Sequence, residues 1–357
     1  MSKTVPSTDV IVGIDTHKLT HAAAAISALG VRLGSMSIPA NSKGYRALHT
    51  WAEALGPVRA FGVEGTGSYG AGLSRFLAAH GHTVLEVNRL NRQLRHQKGK
   101  DDALDAESAA RAVLAGQATA LPKSANSTVE MIRHLKIARD TAVKGRSQAM
   151  QTIKAIIVAA PATLREKIDS LTGKMTLLRH LAALRPGPLT STTASAKTSL
   201  RAIARRWLVL DAEIKDHDAH LERLTRQLAP ELLQAHGMGA GTAAEMLLLV
   251  GDNPERIRSE AALAKLCGAC PIPASSGQTH RHRLNRGGNR QANAALYRVV
   301  IVRMRGHQPT LDYVRRRTAE GKSKSEIIRC LKRFVAREIF GYLCRMPKPA
   351  ISAQIAT

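Results

Sequence analysis

Short apolar and β-branched runs dominate the first part of the chain. The run DVIVGID occupies residues 9–15, and two further strand-like stretches within 22–38 flank a turn at Gly30. Runs of this length and composition are typical of β-strands. The pattern therefore predicts a meander of three strands.

Helical and strand-like periods alternate after the meander. In chain order they predict a helix capped by Asn41 and Ser42 and carrying Tyr45 to Leu55, a strand at 58–64, a helix over about 69–80, a strand at 83–87, and a helix from about Asp102 to Leu114. The resulting order is βββαβαβ followed by a helix. Mixed sheets of this order occur in the ribonuclease H-like fold, so we expect an α/β domain here.

Strand-like runs disappear in the second part, where the pattern predicts an all-α region. Residues 127–170 carry one apolar stripe at helical spacing, 185–197 is rich in Pro, Thr and Ser and breaks the helices, and 199–228 resumes the spacing. Two long helices joined by a loop predict an antiparallel coiled-coil arm. It is either a spacer or an arm that dimerises or grips a duplex. Residues 231–345 predict a compact, mainly helical domain.

The net charge of the chain indicates the class of partner that it binds. Among 357 residues, 53 Lys and Arg face 27 Asp and Glu, which gives a formal charge of +26. Such an excess favours a polyanion, with nucleic acid as the leading candidate. Aromatic residues are only 3%, which argues against affinity based on base stacking and favours phosphate contacts.

The expected cellular setting follows from what the sequence does not contain. There is no apolar leader and no apolar run near the roughly 20 residues that span a bilayer, so we expect no membrane partner. Four cysteines fit a reducing compartment. We expect a soluble cytoplasmic protein associated with the nucleoid. Cys267 and Cys270 form a CxxC without a second pair, so packed cysteines are favoured over zinc.

Acids are scarce, and four of them stand at informative positions. Asp15 and Glu64 each end an apolar strand, and Asp102 and Asp105 share one face of a helix at i, i+3. Clustered carboxylates repel each other unless cations hold them, and paired Mg²⁺ ions in phosphoryl transfer are the usual reason to collect them. The alternative for Asp102 and Asp105 is a favourable interaction with a helix dipole alone.

The segment GMGAGTAA at 237–244 fits a hairpin between two helices. Gly237, Gly239 and Thr242 occupy the positions of a GxGxxT pattern whose backbone N–H groups can hold a DNA phosphate. The alternative is a helix–helix turn that needs glycine for its positive φ.

A third segment, at 271–300, combines serine with arginine. Ser275, Ser276 and Gly277 form what we call the serine loop, and four arginines surround the following Gly-Gly turn: Arg281, Arg283, Arg286 and Arg290. Guanidinium groups stabilise an alkoxide attacking a phosphodiester, so one serine is a candidate nucleophile. The alternative is an ordinary basic DNA-contact loop. His17, His280 and His282 are interpreted as phosphate contacts or surface residues.

Together these pieces resemble the DEDD-type insertion-sequence transposases, the family described as RNA-guided bridge recombinases. The matching segments are VGIDTHK with Asp15, GVEGTGSYG with Glu64, KDDALDA with Asp102 and Asp105, the GMGAGTA hairpin, and CGACPIPASSGQTHRHRLNRGGNRQAN. Several ordered motifs at compatible spacing are more specific than any one of them.

The resemblance implies a domain plan. It comprises a RuvC-like catalytic domain at 1–125, a coiled-coil arm at 126–230, a C-terminal transposase domain with a helix-hairpin-helix at 231–345, and a tail at 346–357. It also implies a homodimer or homotetramer with composite sites, the acids coming from one protomer and the serine from another. The expected partners are double-stranded DNA and a structured noncoding guide RNA.

The resemblance also implies roles for individual residues. Asp15, Glu64, Asp102 and Asp105 become the Mg²⁺-binding DEDD tetrad, and Ser276 becomes the nucleophile, with Ser275 the less favoured neighbour. Asp101 adds a fifth acid. Helical spacing barely separates it from Asp102, which the resemblance favours.

Three functions remain open at this level. The first is a site-specific DNA recombinase that uses a serine nucleophile and Mg²⁺. The second is a Holliday-junction-type endonuclease that uses the same tetrad with water as nucleophile. The third is a basic architectural or RNA-binding protein, against which the tetrad argues.

Overall fold

The computed structural model describes residues 9–87, 101–124, 127–278 and 282–344. The chain divides into two compact units, Met1–Ser127 with Gly251–Arg256 and Thr128–Val250 with Ile257–Thr357. His280, Arg281 and the tail at 346–357 lie outside the described residues. The division into three domains stays a prediction.

The first unit is an α/β domain built on one mixed sheet. Its elements are β1 (Val10–Thr16), β2 (Thr20–Ser27), β3 (Arg32–Pro39), α1 (Ser42–Ala54), β4 (Val58–Glu64), α2 (Ala71–Ala79), β5 (Val84–Val87) and α3 (Asp102–Leu114). The strands lie in the order β3-β2-β1-β4-β5. β1 pairs antiparallel with β2 and parallel with β4. The predicted element order and the ribonuclease H-like sheet are confirmed.

Both faces of this sheet are covered, which explains the unbroken apolar run in β1, every residue of which is buried. Val10, Val12 and Ile14 pack toward α1 and α2. Ile11 points the other way, into a cluster with alanines of α3. Alternate residues of a strand point to opposite faces, so Gly13 and Asp15 lie on the α3 side.

Gly13 lets α3 approach the sheet closely. A Cβ atom at this position would lie 2.0 Å from the carbonyl oxygen of Ala106 and 2.2 Å from the nitrogen of Ala110. Only glycine leaves room for a helix backbone at that distance. The contact fixes α3 against β1 and so determines where the first turn of the helix lies.

The second unit is mainly helical, as predicted. Its helices are α4 (Thr128–Ala159), α5 (Ala162–Asp169), α6 (Lys174–Ala182), α7 (Thr192–Leu228), α8 (Pro230–Gln234), α9 (Ala240–Val250), α10 (Glu260–Leu266), α11 (Arg290–Gly306), α12 (Gln308–Ala319) and α13 (Lys324–Cys344). Two short strands, β6 (Ile272–Pro273) and β7 (His282–Arg283), pair antiparallel.

The two long helices α4 and α7 run antiparallel. Arg139 pairs with Asp218 and Arg146 with Asp211. The residue numbers of the partners therefore fall along α7 as they rise along α4. Trp207 is buried between the helices, beneath the guanidinium of Arg146. These contacts give the paired long helices that the apolar stripes predict.

The connection between the long helices differs from the prediction. Helix α4 ends at Ala159, just before Pro161, whose ring cannot continue a hydrogen-bonded helix. The composition of the Pro- and Ser-rich stretch predicts a break up to residue 197, but α7 already starts at Thr192. Ser191 caps it by accepting a hydrogen bond from the Ala194 nitrogen at 3.1 Å.

A second apolar core of this unit takes most of its buried side chains from α9, α11 and α13, and α4 and α7 add Ile132, Leu221 and Leu224. Cys267 lies in this core. In the part of the chain that the structure describes, no helix is both long and apolar enough to cross a bilayer.

Candidate functional site

Two of the predicted acids stand at neighbouring strand ends. β1 and β4 are parallel and stay in register up to the pair Ile14 and Val63, so Asp15 and Glu64 are the next residues on each strand. The Thr16 hydroxyl donates to the Glu64 carbonyl oxygen at 2.9 Å, which ties the two ends together. Asp15 is only 7% exposed, and Glu64 is half-buried.

The other two acids lie in the first turn of α3. Asp102 precedes Ala106 by one helical turn, so the close contact at Gly13 brings Asp102 toward the end of β1. Asp101 acts differently, because its carboxylate accepts a hydrogen bond from the Ala103 nitrogen at 3.0 Å and caps the helix.

A histidine joins the acids of the two elements. His17 Nε2 lies 3.3 Å from a carboxylate oxygen of Asp15 and 3.3 Å from one of Asp102. Ligand atoms of these three residues all lie within 4.8 Å of one another. We call Asp15, His17 and Asp102 the acid cluster. It contains neither Glu64 nor the half-buried Asp105.

The sequence pattern alone did not identify His17, which was interpreted as a phosphate contact or surface residue. A signal was present, because residues i and i+2 of a strand point to the same face. His17 follows Asp15 at that spacing, just beyond the end of β1. With fourteen histidines in the chain, one of them near an acid carries little weight without the structure.

The donor set of the acid cluster suits a divalent cation. Two carboxylates that approach one imidazole repel each other unless a positive charge lies between them. Carboxylate oxygens are the preferred ligands of hard cations such as Mg²⁺. The neighbouring His21 is fully buried, and its burial lowers its pKa from the ordinary value, so it supplies little compensating charge.

The serine loop lies in the other unit, between β6 and β7. Ser275, Ser276 and Gly277 are exposed, and Gly277 adopts a φ of +55°, in the left-handed region. Arg283 of β7 is exposed too.

Close backbone contacts hold the segment that follows the loop. A Cβ atom on Gly288 would lie 2.2 Å from the nitrogen of Gly268. Asn293 donates to the carbonyl oxygen of Cys267 at 2.8 Å, and Asn285 donates to that of Lys265 at 3.2 Å. The chain between the loop and α11 is therefore anchored to the end of α10.

Two predicted arginines share a cavity beside this anchor. Arg286 and Arg290 are exposed and line a concavity of about 430 Å³ together with Tyr297 and Asn293. An open pocket with two guanidinium groups and an aromatic ring at its wall can accept a phosphate and a sugar or base.

The CxxC pair contributes packing to this region. Burial raises the pKa of Cys267 to about 12, so its thiol stays protonated. Cys270 accepts a hydrogen bond from Asn285 at 3.3 Å.

The predicted glycine hairpin lies between α8 and α9. Gly237 has a φ of +80°, and the Gly239 carbonyl oxygen accepts hydrogen bonds from the Thr242 and Ala243 nitrogens as α9 begins. Thr242 itself is buried. Backbone groups at the start of α9 are therefore the groups of this hairpin that can meet a phosphate, rather than the Thr242 hydroxyl.

Comparison with known proteins gives this arrangement a family. Residues 12–160 match the IS110-type DEDD transposase model, and residues 229–315 match the transposase IS116/IS110/IS902 family. The first match covers the segments that carry the four acids, and the second covers the glycine hairpin and the serine loop.

Two curated proteins are similar to the chain over part of its length. One is the "insertion element IS110 uncharacterized 43.6 kDa protein" of Streptomyces coelicolor, 32% identical over 158 residues, which are 44% of this chain and 38% of that protein. The other is the "insertion element IS900 uncharacterized 42 kDa protein" of Mycobacterium paratuberculosis, 29% identical over 141 residues, 39% of this chain and 35% of that protein. The alignments span well under half of either relative. On its two family matches, the chain belongs to the IS110 family of DEDD transposases.

Proposed function

We propose that this protein is the transposase of an insertion sequence, a site-specific recombinase that cuts and rejoins DNA strands through Ser276. The DEDD tetrad of Asp15, Glu64, Asp102 and Asp105 assists by binding Mg²⁺. The observation that carries the proposal is the convergence of Asp15, His17 and Asp102 from a strand end and a helix start in a chain of a transposase family.

The chemistry assigned to Ser276 is a transesterification. Its Oγ forms a bond to a backbone phosphorus of DNA, the bond from that phosphorus to a deoxyribose oxygen breaks, and the serine proton ends on the departing oxygen. A deoxyribose hydroxyl of another strand then attacks the same phosphorus and releases the serine. The phosphoserine ester conserves the energy of the broken bond for rejoining.

Metal binding is assigned to the carboxylates. Bound Mg²⁺ would polarise the phosphodiester and stabilise charge that develops on its oxygens. The chain itself fixes the positions of those carboxylates: β1 carries Asp15, β4 carries Glu64, and the Gly13 contact places the start of α3. Family membership implies a divalent metal, and the all-oxygen tetrad favours Mg²⁺.

DNA is the proposed substrate, and the charge of +26 supports it. The proposed phosphate contacts are the backbone N–H groups of Gly237 and Gly239 in the hairpin and the side chains of Arg281, Arg283, Arg286 and Arg290 around the serine loop. Thr242 supports the hairpin through the hydrogen bond from its nitrogen to the Gly239 carbonyl oxygen. A structured guide RNA would read the sequence by base pairing, which agrees with a protein that has few aromatic residues. A homodimer or homotetramer would bring the serine of one protomer to the acids of another.

The test is a polymerase chain reaction for the excised circular junction in cells that carry the gene within its native flanking DNA. Junctions from the wild type, and none from Ser276→Ala or Asp15→Ala, are expected. Junctions that survive Ser276→Ala would overturn the nucleophile in favour of water-mediated cleavage. Junctions that survive Asp15→Ala would overturn the role of the tetrad.

A further inference from the structure

A second group of ligating side chains lies in the first unit, on the face of the sheet opposite the acid cluster. His49 and Glu53 belong to α1, and His82 follows α2 on the way to β5. A ring nitrogen of each histidine and a carboxylate oxygen of Glu53 lie within 4.8 Å of one another. α3 and Asp15 lie on the other face of the sheet, so this group is separate from the tetrad.

The geometry within α1 is set by helical spacing. His49 and Glu53 are at i, i+4 and therefore share a face, and His49 Nε2 lies 3.4 Å from a Glu53 oxygen. The His82 ring stands edge-on to His49, with 4.9 Å between ring centroids. Two imidazoles and one carboxylate thus meet where α1 faces the connection from α2 to β5.

The environment of the His82 ring points to a missing ligand. Its Nε2 is shielded from solvent and has no hydrogen-bond partner among the residues that the structure describes. The ring packs against Phe61, with 5.0 Å between centroids. A shielded nitrogen without a partner costs free energy, which a bound ligand would recover.

The protonation state of His82 favours a metal over a proton. Burial lowers its pKa from the ordinary value, the nearby His49 and His80 lower it further, and Glu53 opposes them. A neutral imidazole is the form that ligates a metal ion. The group therefore combines the His82 nitrogen with a second imidazole and a carboxylate.

We propose that His49, Glu53 and His82 bind a divalent transition-metal ion, with Zn²⁺ as its representative. Nitrogen-rich sets of this kind select borderline ions such as Zn²⁺ over Mg²⁺. Zn–N bonds of about 2.0–2.1 Å place tetrahedral ligand atoms roughly 3.4 Å apart, and His49 Nε2 already lies 3.4 Å from a Glu53 oxygen.

His80 lies beside the group without supplying one of its three ligand atoms. Its Nδ1 donates to the Phe76 carbonyl oxygen at 2.8 Å, which fixes the orientation of the ring. Its ring lies 5.1 Å from that of His49. The ion would link α1 to the α2–β5 connection and stabilise this side of the domain.

The test uses the full chain, stripped of metal, with Co²⁺ as a spectroscopic probe and Zn²⁺ as competitor. The titration is carried out with excess Mg²⁺ to occupy the acid cluster. One Co²⁺ per chain with a visible ligand-field band, displaced by Zn²⁺ and not by the excess Mg²⁺, is then expected. His49→Gln and His82→Gln should each weaken binding at least about tenfold. The Glu53 side chain is 55% exposed, so Glu53→Gln keeps the fold and should weaken binding as well.

A matched control lies on α7. His217 pairs with Glu213 at i, i+4 and 3.7 Å, with side-chain exposures of 18% and 44% against 20% and 55% for His49 and Glu53. His217 belongs to no three-ligand group among the described residues. His217→Gln should leave the Co²⁺ binding that resists excess Mg²⁺ unchanged, and so should Asp15→Asn.

Three outcomes would overturn the proposal. They are no binding by the folded wild type, binding unchanged in both His82→Gln and Glu53→Gln, and binding lost in Asp15→Asn, which would assign the ion to the acid cluster. Circular dichroism without metal separates lost ligation from lost folding. The proposal is independent of the transposase activity, because its readout involves no DNA.

Discussion

The acid cluster and the serine loop are built in opposite ways. The acid cluster sits where a buried strand and a helix start meet, and a glycine contact without spare room holds those elements together. The serine loop is exposed between two short strands, and the contacts that anchor the following segment begin only after β7, at Asn285, Gly288 and Asn293. Metal ligands need fixed geometry, whereas a nucleophile that must meet a DNA strand needs access.

The largest expected effect removes one acid without disturbing its frame. Asp15→Asn keeps the size of the side chain but removes a charge next to His17, so junction formation should fall at least about a hundredfold. Asp101→Asn is the control, because asparagine caps a helix as well as aspartate does. Equal losses in the two variants would show that acids near α3 matter only for folding.

The next variant disturbs the close contact between β1 and α3 that positions the acid cluster. Gly13→Ala places a methyl group 2.0 Å from the Ala106 carbonyl oxygen, so α3 must shift away from β1. We expect a loss of about 3 kcal/mol of unfolding free energy in urea titrations.

Gly67→Ala is the matched control, since a Cβ atom there meets nothing within 4 Å. It should change stability by no more than about 0.5 kcal/mol. A Gly13→Ala protein as stable as the wild type would contradict the rigid placement of the acid cluster.

The corresponding change near the serine loop should be milder. Gly288→Ala presses a methyl group on the Gly268 backbone, in a segment that is partly exposed, and we expect a loss of about 2 kcal/mol. Junction formation should fall while divalent-metal binding by the first unit is unchanged.

Gly306→Ala tests the same substitution where a Cβ atom meets nothing within 4 Å, and it should behave as the wild type. Loss of metal binding in Gly288→Ala would show that the acid cluster depends on the segment that follows the serine loop.

The smallest expected effect is the pH dependence that His307 adds to the stability of the second unit. Burial lowers the pKa of His307, with Arg303 and His236 acting in the same direction and Glu338 opposing. The folded state therefore prefers the neutral ring. Its contribution to stability is present above the unfolded pKa of about 6.5 and is lost as pH falls through the lower folded value.

The melting temperature of the wild type should thus drop more steeply below about pH 6.5 than that of His307→Gln. His134→Gln is the control, because its side chain is 67% exposed. Identical pH profiles for wild type and His307→Gln would show that His307 does not contribute to the pH dependence of the melting temperature.

Much of the first unit was predictable because its central strands β1 and β4 are buried on both faces and its helices are buried on one. The ends of β1 and β4 follow from the apolar runs, and parallel strands bring such ends together. The position of Asp102 relative to His17 was not predictable, since it depends on the depth at which α3 packs over Gly13. Helix periodicity gives the face of a helix but not its distance from the sheet.

Other features required contacts between distant segments. The start of α7 at Thr192 depends on the Ser191 cap and on burial of Ala194, which outweigh the local Pro- and Ser-rich composition. His49 and His82 are 33 positions apart in the sequence, and only the packing of α1 beside α2 brings them together. A sequence with many histidines gives no sign of which of them meet.

We propose that Ser276 carries the DNA phosphate during strand exchange. The direct measurement isolates covalent protein–DNA complexes from cells that form the excised junction, digests them, and locates the nucleotide by mass spectrometry. We predict a nucleotide on Ser276 in the wild type and no adduct in Ser276→Ala. Junctions that form without any adduct, or an adduct on Ser275, would contradict the assignment.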